Sequence, residues 1–119
     1  MPVIPIVSIP DAMMEWKPLD RALMRIMQKF SLDIRQLRHT MAFHSPLSRS
    51  ALLPSTRLMI IAGMGDKMAS PRHAEALKKH WQSCDLHWFE GSHALPLQRA
   101  RTDRAKQIFL EKIGFLDAI

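Results

Sequence analysis

The sequence predicts an α/β domain built on a parallel sheet. Residues 58–62 form a continuous apolar run that ends at Gly63, the pattern of a strand buried on both faces. Residues 86–89 form a second short apolar run that ends before Gly91, and one helical segment separates the two runs. The order strand, helices, strand, helix, strand, helix predicts about three parallel strands with flanking helices and right-handed crossovers.

The first strand is expected over residues 3–7, which are rich in β-branched side chains. Pro5 lies inside this run and cannot donate to a sheet ladder, so the strand is predicted to be an edge strand or irregular. A turn or short helix is expected to follow, from Pro10 to Trp16.

Residues 11–41 are predicted to form a helical, cap-like segment. Apolar side chains recur there at helical spacing, at Leu19, Ala22, Leu23, Ile26, Met27 and Phe30. We expect this amphipathic helix to pack against the sheet, although such a helix can also lie on a membrane surface. Ser31 is the expected cap of a second helix, whose apolar face carries Ile34, Leu37 and Met41.

Residues 44–56 are rich in serine and proline and predict a loop, and residues 57–119 predict a βαβα unit. Ser70 followed by Pro71 is typical of a helix start. The buried face of that helix is expected to carry Ala74, Leu77 and Trp81, and that of a final helix, from about Arg99, to carry Ala105, Ile108, Phe109, Ile113 and Leu116. We interpret residues 1–119 as a single domain.

Two polar loops are expected at one edge of the sheet. The two apolar strands are joined by one helix and should be parallel, so the loops 63–70 and 90–96 follow them at the same edge, where sites form in open parallel sheets. Asp66 lies in the first loop and His93 in the second, and each alone is a common type of loop residue. A carboxylate that accepts from a histidine Nδ1 leaves Nε2 able to take a proton from a nucleophile. We therefore interpret Asp66 and His93 as a catalytic acid–base pair.

These features resemble the C-terminal portion of the α/β-hydrolase superfamily. An apolar strand runs into a Gly-x-Gly-Asp loop that ends at Asp66, a helix opened by proline follows, and Gly-Ser-His comes after the next strand, ending at His93. The likeness covers essentially the whole chain and is most specific over residues 55–113. In that family the acid follows the penultimate strand and the base follows the last one. The resemblance therefore implies Asp66 as triad acid and His93 as triad base.

The nucleophile that this resemblance requires has no counterpart in the sequence. The family places it on a Gly-x-Ser-x-Gly elbow, and no serine before Asp66 has a glycine two residues to either side. Ser8 ends the predicted first strand, but its neighbours are too bulky for a tight elbow. Cys84 comes after the acid and is expected to be a small buried thiol. The segments that supply the oxyanion hole in that family are likewise not found.

Composition narrows the class of protein. The net charge is +6, but basic residues alternate with acidic and apolar ones and there is no tyrosine, so a nucleic-acid partner is not expected. No apolar run approaches the ~18 residues of a membrane-spanning helix, and the N-terminus lacks the basic leader of a signal peptide, so no membrane partner is expected. The only cysteine, Cys84, cannot form an intramolecular disulfide, which favours a reducing, cytoplasmic setting.

No cofactor or metal is expected. His73 and His80 lie seven residues apart on one predicted helix, but the six histidines match no metal-ligand spacing. The glycines on either side of Met64 match neither of the common phosphate-binding loop patterns.

Two functions remain open. The first is the C-terminal part of an ester or acyl hydrolase, with Asp66 and His93 but no nucleophile, inactive or weakly active alone. The second is a non-catalytic oligomerising or interaction domain on a hydrolase-derived scaffold. In both, the strand at residues 3–7 has an uncovered edge, which predicts self-association as a homodimer or pairing with a separately supplied N-terminal half.

Overall fold

The sheet consists of the two apolar runs identified above. The computed structural model describes residues 3–117, so both ends of the domain expected over residues 1–119 lie outside the described part. Strand β1 spans Met59–Gly63 and strand β2 spans Asp85–Phe89, and they pair in parallel. All five residues of β1 are buried, as expected for a parallel strand covered on both faces. The predicted α/β class with a parallel sheet is confirmed.

The strand expected over residues 3–7 is reduced to a single bridge. Val3 pairs in parallel with Ile61, and the Ile4 N–H donates to the Ile61 carbonyl oxygen at 2.7 Å. Ile4 has a φ of 55°, which turns the chain out of the extended conformation, and Pro5 has no N–H to continue the ladder. The prediction of about three strands is therefore corrected: within the described residues there are two strands, and a single bridge at Val3 replaces the third.

Three helices occupy the predicted helical segment. Helix α1 spans Ile9–Glu15, α2 spans Lys17–Lys29 and α3 spans Ile34–Met41. Short 3-10 turns follow at Ala42–His44, Pro46–Ser48 and Ser55–Arg57, and the second lies wholly within the predicted loop. The molecule is elongated, with extents of 54 × 31 × 23 Å.

The cap of α3 differs from the prediction. Asp33, not Ser31, accepts from the Gln36 N–H, and the Gln36 side chain accepts from the Asp33 N–H. This reciprocal arrangement is a capping box, which satisfies two backbone donors at the helix start. Ser31 instead has a φ of 52° in the turn that ends α2.

The amphipathic helix α2 does not pack against the sheet, so that expectation was wrong. It packs chiefly against α1, and Leu23 is its one buried residue. Helical periodicity identifies which face of α2 is apolar but does not identify the surface that covers it.

Two further helices cover the two faces of the sheet. Helix α4 spans Pro71–Trp81 and buries Ala74 and Leu77 against β1, as predicted. Helix α5 spans Arg99–Lys112 and packs Phe109 against the opposite face. Ile108 and Leu116, expected on the buried face of α5, are exposed. Within residues 3–117, no helix has the length and apolar character needed to cross a membrane.

Candidate functional site

The loops that follow β1 and β2 are joined by backbone hydrogen bonds. The Met64 N–H donates to the Phe89 carbonyl oxygen at 3.0 Å, and the Gly65 N–H donates to that of Gly91 at 2.9 Å. A Cβ atom on Gly65 would lie only 2.8 Å from the Gly91 oxygen, so this close approach needs glycine. The two loops are consequently held in one register at the carboxyl ends of the strands.

The loop that carries His93 is a closed turn. The Ser92 N–H donates to the Leu95 carbonyl oxygen at 3.1 Å, and the Leu95 N–H donates to the Ser92 hydroxyl oxygen at 3.2 Å. Gly91 and Pro96 pair as an antiparallel bridge, and Gly91 has a φ of 117°. This conformation is accessible mainly to glycine, and it turns the chain directly after β2 so that His93 lies beside the other loop.

The structure brings Asp66 and His93 together. Asp66 Oδ2 lies 3.0 Å from His93 Nδ1. A carboxylate oxygen can only accept, so Nδ1 carries the hydrogen and donates it. The Asp66 side chain is 0% exposed and the His93 side chain is 41% exposed. The carboxylate is therefore fixed inside the protein while the imidazole faces outward.

Asp66 is oriented by its own loop as well. Its second oxygen, Oδ1, accepts from the Met68 N–H at 2.9 Å and from the Ala69 N–H at 2.8 Å. Three donors therefore hold one buried carboxylate. Among the described residues His93 Nε2 makes no hydrogen bond, so this nitrogen is an acceptor available to a hydroxyl or thiol.

The structure does not bring Ser8 or Cys84 to His93. Ser8 caps α1, and its hydroxyl donates to Asp11 Oδ2 at 2.5 Å. Cys84 lies directly before β2 while His93 follows it, so the strand separates the two. Cys84 is 2% exposed, which confirms the expected buried thiol, and burial is the main cause that raises its thiol pKa.

The burial of one histidine of α4 was not predicted from the sequence. His73 is 3% exposed, and its Nδ1 accepts from the Val7 N–H at 3.2 Å. Its Nε2 is buried and has no hydrogen-bond partner among residues 3–117; Glu15 Oε2 lies 3.8 Å away. Glu15 accepts from the Ser70 hydroxyl at 2.5 Å and from Arg72 at 3.3 Å. These contacts fasten α1 to the start of α4.

The environment of His73 favours its neutral form. Burial is the largest cause that lowers its pKa, and the negative charges of Glu15 and Asp11 oppose that effect. The seven-residue spacing of His73 and His80 does not predict that His73 is buried. His80 lies elsewhere, and its Nε2 contacts the Arg49 carbonyl oxygen at 2.8 Å. Within the described part of the chain no three His, Cys, Asp or Glu side chains are grouped as metal ligands.

Two cavities border helix α1, and neither includes the acid–base pair. One of about 290 Å³ lies between α1 and α3, and one of about 240 Å³ lies between α1 and α4, beside His73. Asp66 and His93 line neither of them. Of the pair, only His93 faces outward, at the carboxyl ends of the strands, and another polypeptide segment can reach it there.

No known protein-family model matches the chain, and no solved structure matches it. Two curated proteins of Mycobacterium tuberculosis are similar to part of it: the uncharacterized protein MT2702 of strain CDC 1551 / Oshkosh and the uncharacterized protein Rv2627c of strain ATCC 25618 / H37Rv. Each is 36% identical over 75 residues, which cover 62% of this chain. The match spans 18% of the length of these curated relatives, so the similarity concerns a part of two longer proteins.

Proposed function

We propose that this chain provides the acid and the base of an α/β-hydrolase-type site that cleaves esters or similar acyl bonds. The observation that carries the proposal is the 3.0 Å contact between buried Asp66 and outward-facing His93. A hydrolase-like scaffold is supported by parallel strands, helices on both faces and an acid and base that follow successive strands.

In this proposal His93 Nε2 carries the proton in both directions. The nucleophile's hydroxyl gives its proton to Nε2 as its oxygen bonds to the acyl carbon, and the carbonyl electron pair moves onto oxygen. When the tetrahedral intermediate collapses, the leaving oxygen takes the proton from Nε2. Asp66 keeps Nδ1–H oriented and stabilises the transient imidazolium. Water then releases the acyl group by the same sequence of proton transfers.

The nucleophile and the oxyanion donors are proposed to come from another polypeptide segment, either a further part of a longer chain or a separate partner. The engaged hydroxyl of Ser8 and the buried position of Cys84 support this, and so does the outward-facing imidazole of His93. We expect the present chain alone to be inactive or weakly active. The single buried thiol supports a cytoplasmic setting for this reaction.

The test uses an added thiol in place of the missing nucleophile. Release of p-nitrophenolate from p-nitrophenyl acetate and butyrate is measured with and without an added thiol as acyl acceptor, for the wild type, His93→Ala and Asp66→Asn. We expect the acceptor-dependent rate to fall about tenfold in His93→Ala, less than the 10²–10⁴ of a positioned general base, because the acceptor is not held in place. His39→Ala, which removes an exposed histidine of α3, is the matched control and should retain the wild-type rate.

Equal rates for the wild type and His93→Ala in the presence of the thiol contradict a role for His93 as base. A loss shared by His39→Ala contradicts it as well, because general imidazole chemistry then explains the rate. In the same assay Asp66→Asn should lower the rate without abolishing it, since His93 keeps its imidazole but loses the acceptor that fixes its tautomer.

A second candidate function is non-catalytic self-association through the sheet edge. Val3 lies on the side of Ile61 opposite β2 and is 51% exposed, so the bridge leaves that edge largely uncovered. Uncovered edges pair with other chains, and an inserted lysine blocks such pairing. A dimer on size exclusion that dissociates in Val3→Lys supports this candidate, and a monomeric wild type contradicts it.

A further inference from the structure

Helix α2 carries a stripe of cations along one side. Its basic residues follow one another at intervals of four, which places them on neighbouring turns of one helix side: Lys17, Arg21, Arg25 and Lys29. All four are exposed, and none takes part in the ion pairs found among residues 3–117. Asp20 is the one acidic residue of the helix.

Exposed apolar side chains lie beside this stripe. Ile26 is 48% exposed, and Phe30, one turn further on at the end of the helix, is 62% exposed. Both lie at helical spacing from the buried Leu23, so they border the face that packs on α1 and extend it outward. Leu32 follows and is also exposed. Lys29 Nζ lies 5.6 Å from the centre of the Phe30 ring, so cation and apolar group meet on one surface.

The shape of the molecule leaves this surface accessible. Its radius of gyration is 16.4 Å, whereas a compact chain of this length has about 13–14 Å. Helix α2 packs chiefly on α1 and not on the sheet. We define the α2 surface as the four cations and Ile26 of the helix together with Phe30 and Leu32, which follow it.

We propose that the α2 surface docks on an anionic lipid bilayer, with α2 lying in the plane of the headgroups. Ile26 and Phe30 enter the boundary with the acyl chains, and the cations contact lipid phosphates. An amphipathic helix with a basic polar side and an aromatic residue on the other has this mode of binding. It replaces the expectations that the helix is covered by the sheet and that no membrane is a partner, and it is independent of the Asp66–His93 pair.

Charge and chemistry favour this occupant over others. A second copy that docked through the same surface would bring two unpaired cationic stripes together, in a chain whose net charge is already +6. A nucleic acid would satisfy the cations but leave Ile26 and Phe30 against polar phosphate and sugar. In an anionic bilayer the lipid phosphates accept the four cations, and the acyl layer beneath them accepts Ile26 and Phe30.

The test is co-sedimentation of the full chain with vesicles of phosphatidylcholine alone and of phosphatidylcholine mixed with phosphatidylglycerol. We expect binding to the anionic vesicles only, decreasing at high salt. Arg25→Gln combined with Lys29→Gln should lower the partition coefficient for the vesicles about 25-fold. Each cation near an anionic surface raises that coefficient about fivefold. Phe30→Ser should weaken it about tenfold through loss of buried apolar area.

Matched variants elsewhere separate the α2 surface from net charge and general hydrophobicity. Lys79→Gln combined with Arg104→Gln removes the same charge from α4 and α5, and Phe115→Ser removes an exposed phenyl ring beyond α5. Both should bind within about twofold of the wild type. Far-UV circular dichroism checks that every variant is folded.

Four outcomes overturn the proposal. They are no binding to anionic vesicles, equal binding to neutral ones, the same loss in the control variants as in the α2 variants, and a vesicle-free change of oligomeric state in Phe30→Ser. The last result would assign the α2 surface to a second copy of the chain. A blue shift of tryptophan emission on vesicle addition is a second readout, because Trp16 lies directly before α2.

Discussion

Asp66 Oδ2 and His93 Nδ1 lie 3.0 Å apart although the two residues are 27 positions apart in the sequence. The two partners lie in different environments. Asp66 is buried and accepts two further hydrogen bonds from the backbone of its own loop, whereas His93 is partly exposed. The contact therefore joins a fixed carboxylate to an outward-facing imidazole. Substitutions of Asp66 and His93 should differ in their effect on stability.

Asp66→Ala should destabilise the protein more than His93→Ala. The first leaves the Met68 and Ala69 N–H groups without their acceptor, and we expect the free energy of unfolding to fall by roughly 2–4 kcal/mol. The second removes a partly solvated contact and should cost less than about 1 kcal/mol. Urea denaturation measures both. Asp103→Ala, in an exposed pair, is the control with almost no effect, and equal losses at Asp66 and His93 would contradict the asymmetry.

Gly91→Ala should be far more costly than Gly114→Ala. Both glycines have a positive φ, 117° and 68°. A Cβ on Gly91 would also lie 2.8 Å from the Leu97 nitrogen and closer still to the Leu95 carbonyl oxygen, whereas at Gly114 it meets nothing within 4 Å. We expect a loss of roughly 2–4 kcal/mol at Gly91 and about 1 kcal/mol at Gly114, from urea midpoints. Similar midpoints for the two variants would show that the His93 loop is not held as the structure has it.

The shared position of Asp66 and His93 could be predicted from the sequence. The buried run of β1 and the single helix before β2 imply parallel strands, and parallel strands imply that Asp66 and His93 share an edge. Each step depends on local patterning and topology, so no distant contact had to be guessed. The cap of α3 was predicted at Ser31, whereas the structure has Asp33 and Gln36 in a capping box.

Other features depend on tertiary contacts that local patterns do not encode. Pro5 indicated an irregular strand, but the positive φ of Ile4 reduces it to one bridge. The periodicity of α2 identified its apolar face but not its neighbour, which is α1. No local sequence pattern predicts the burial of His73, because its Nδ1 accepts from the Val7 N–H, which lies 66 positions away in the sequence.

Cys84 should react slowly with thiol reagents in the folded protein. It is 2% exposed, burial is the main cause that raises its pKa, and the reactive species is the thiolate. We expect modification by a disulfide reagent to be about a hundredfold slower than in urea, because reaction requires local opening. As the only cysteine, it gives the entire signal. A native rate equal to that in urea would contradict the enclosure of this thiol in the core cluster that also contains Leu58 and Leu77.

The stability of the protein should decrease as the pH falls below the ordinary pKa of histidine. Burial lowers the pKa of His73 below its usual 6.5, so near and below that pH the unfolded chain binds more protons than the folded one. The stability that neutral His73 contributes is therefore fully present above pH 6.5 and decreases as the pH falls below that value. The decrease ends once the pH is below the lowered pKa of His73 in the folded state. Protonation of Nδ1 also removes the acceptor of the Val7 N–H, one of the contacts between the N-terminal segment and α4.

The measurement is the urea midpoint between about pH 7.5 and 5. His73→Asn keeps an acceptor for Val7 but does not titrate, and it should flatten this dependence. His87, whose pKa is also lowered chiefly by burial, contributes in the same direction, so His87→Asn is the control that leaves the His73 part in place. Asp11 acts in a separate window: the Arg38 hydrogen bond lowers its pKa below 3.8, and its contribution is lost only as the pH falls below that value.

The charges around His73 make the sign of this effect a direct test of the packing. Glu15 and Asp11 face it from α1, Arg72 belongs to its own helix, and Asp66 acts from the neighbouring loop. If the carboxylates outweighed burial, His73 would be charged in the folded state and the stability would rise as the pH falls through 6.5. A wild-type midpoint that increases on acidification, with a flat profile in His73→Asn, would therefore overturn the neutral, buried assignment of this histidine.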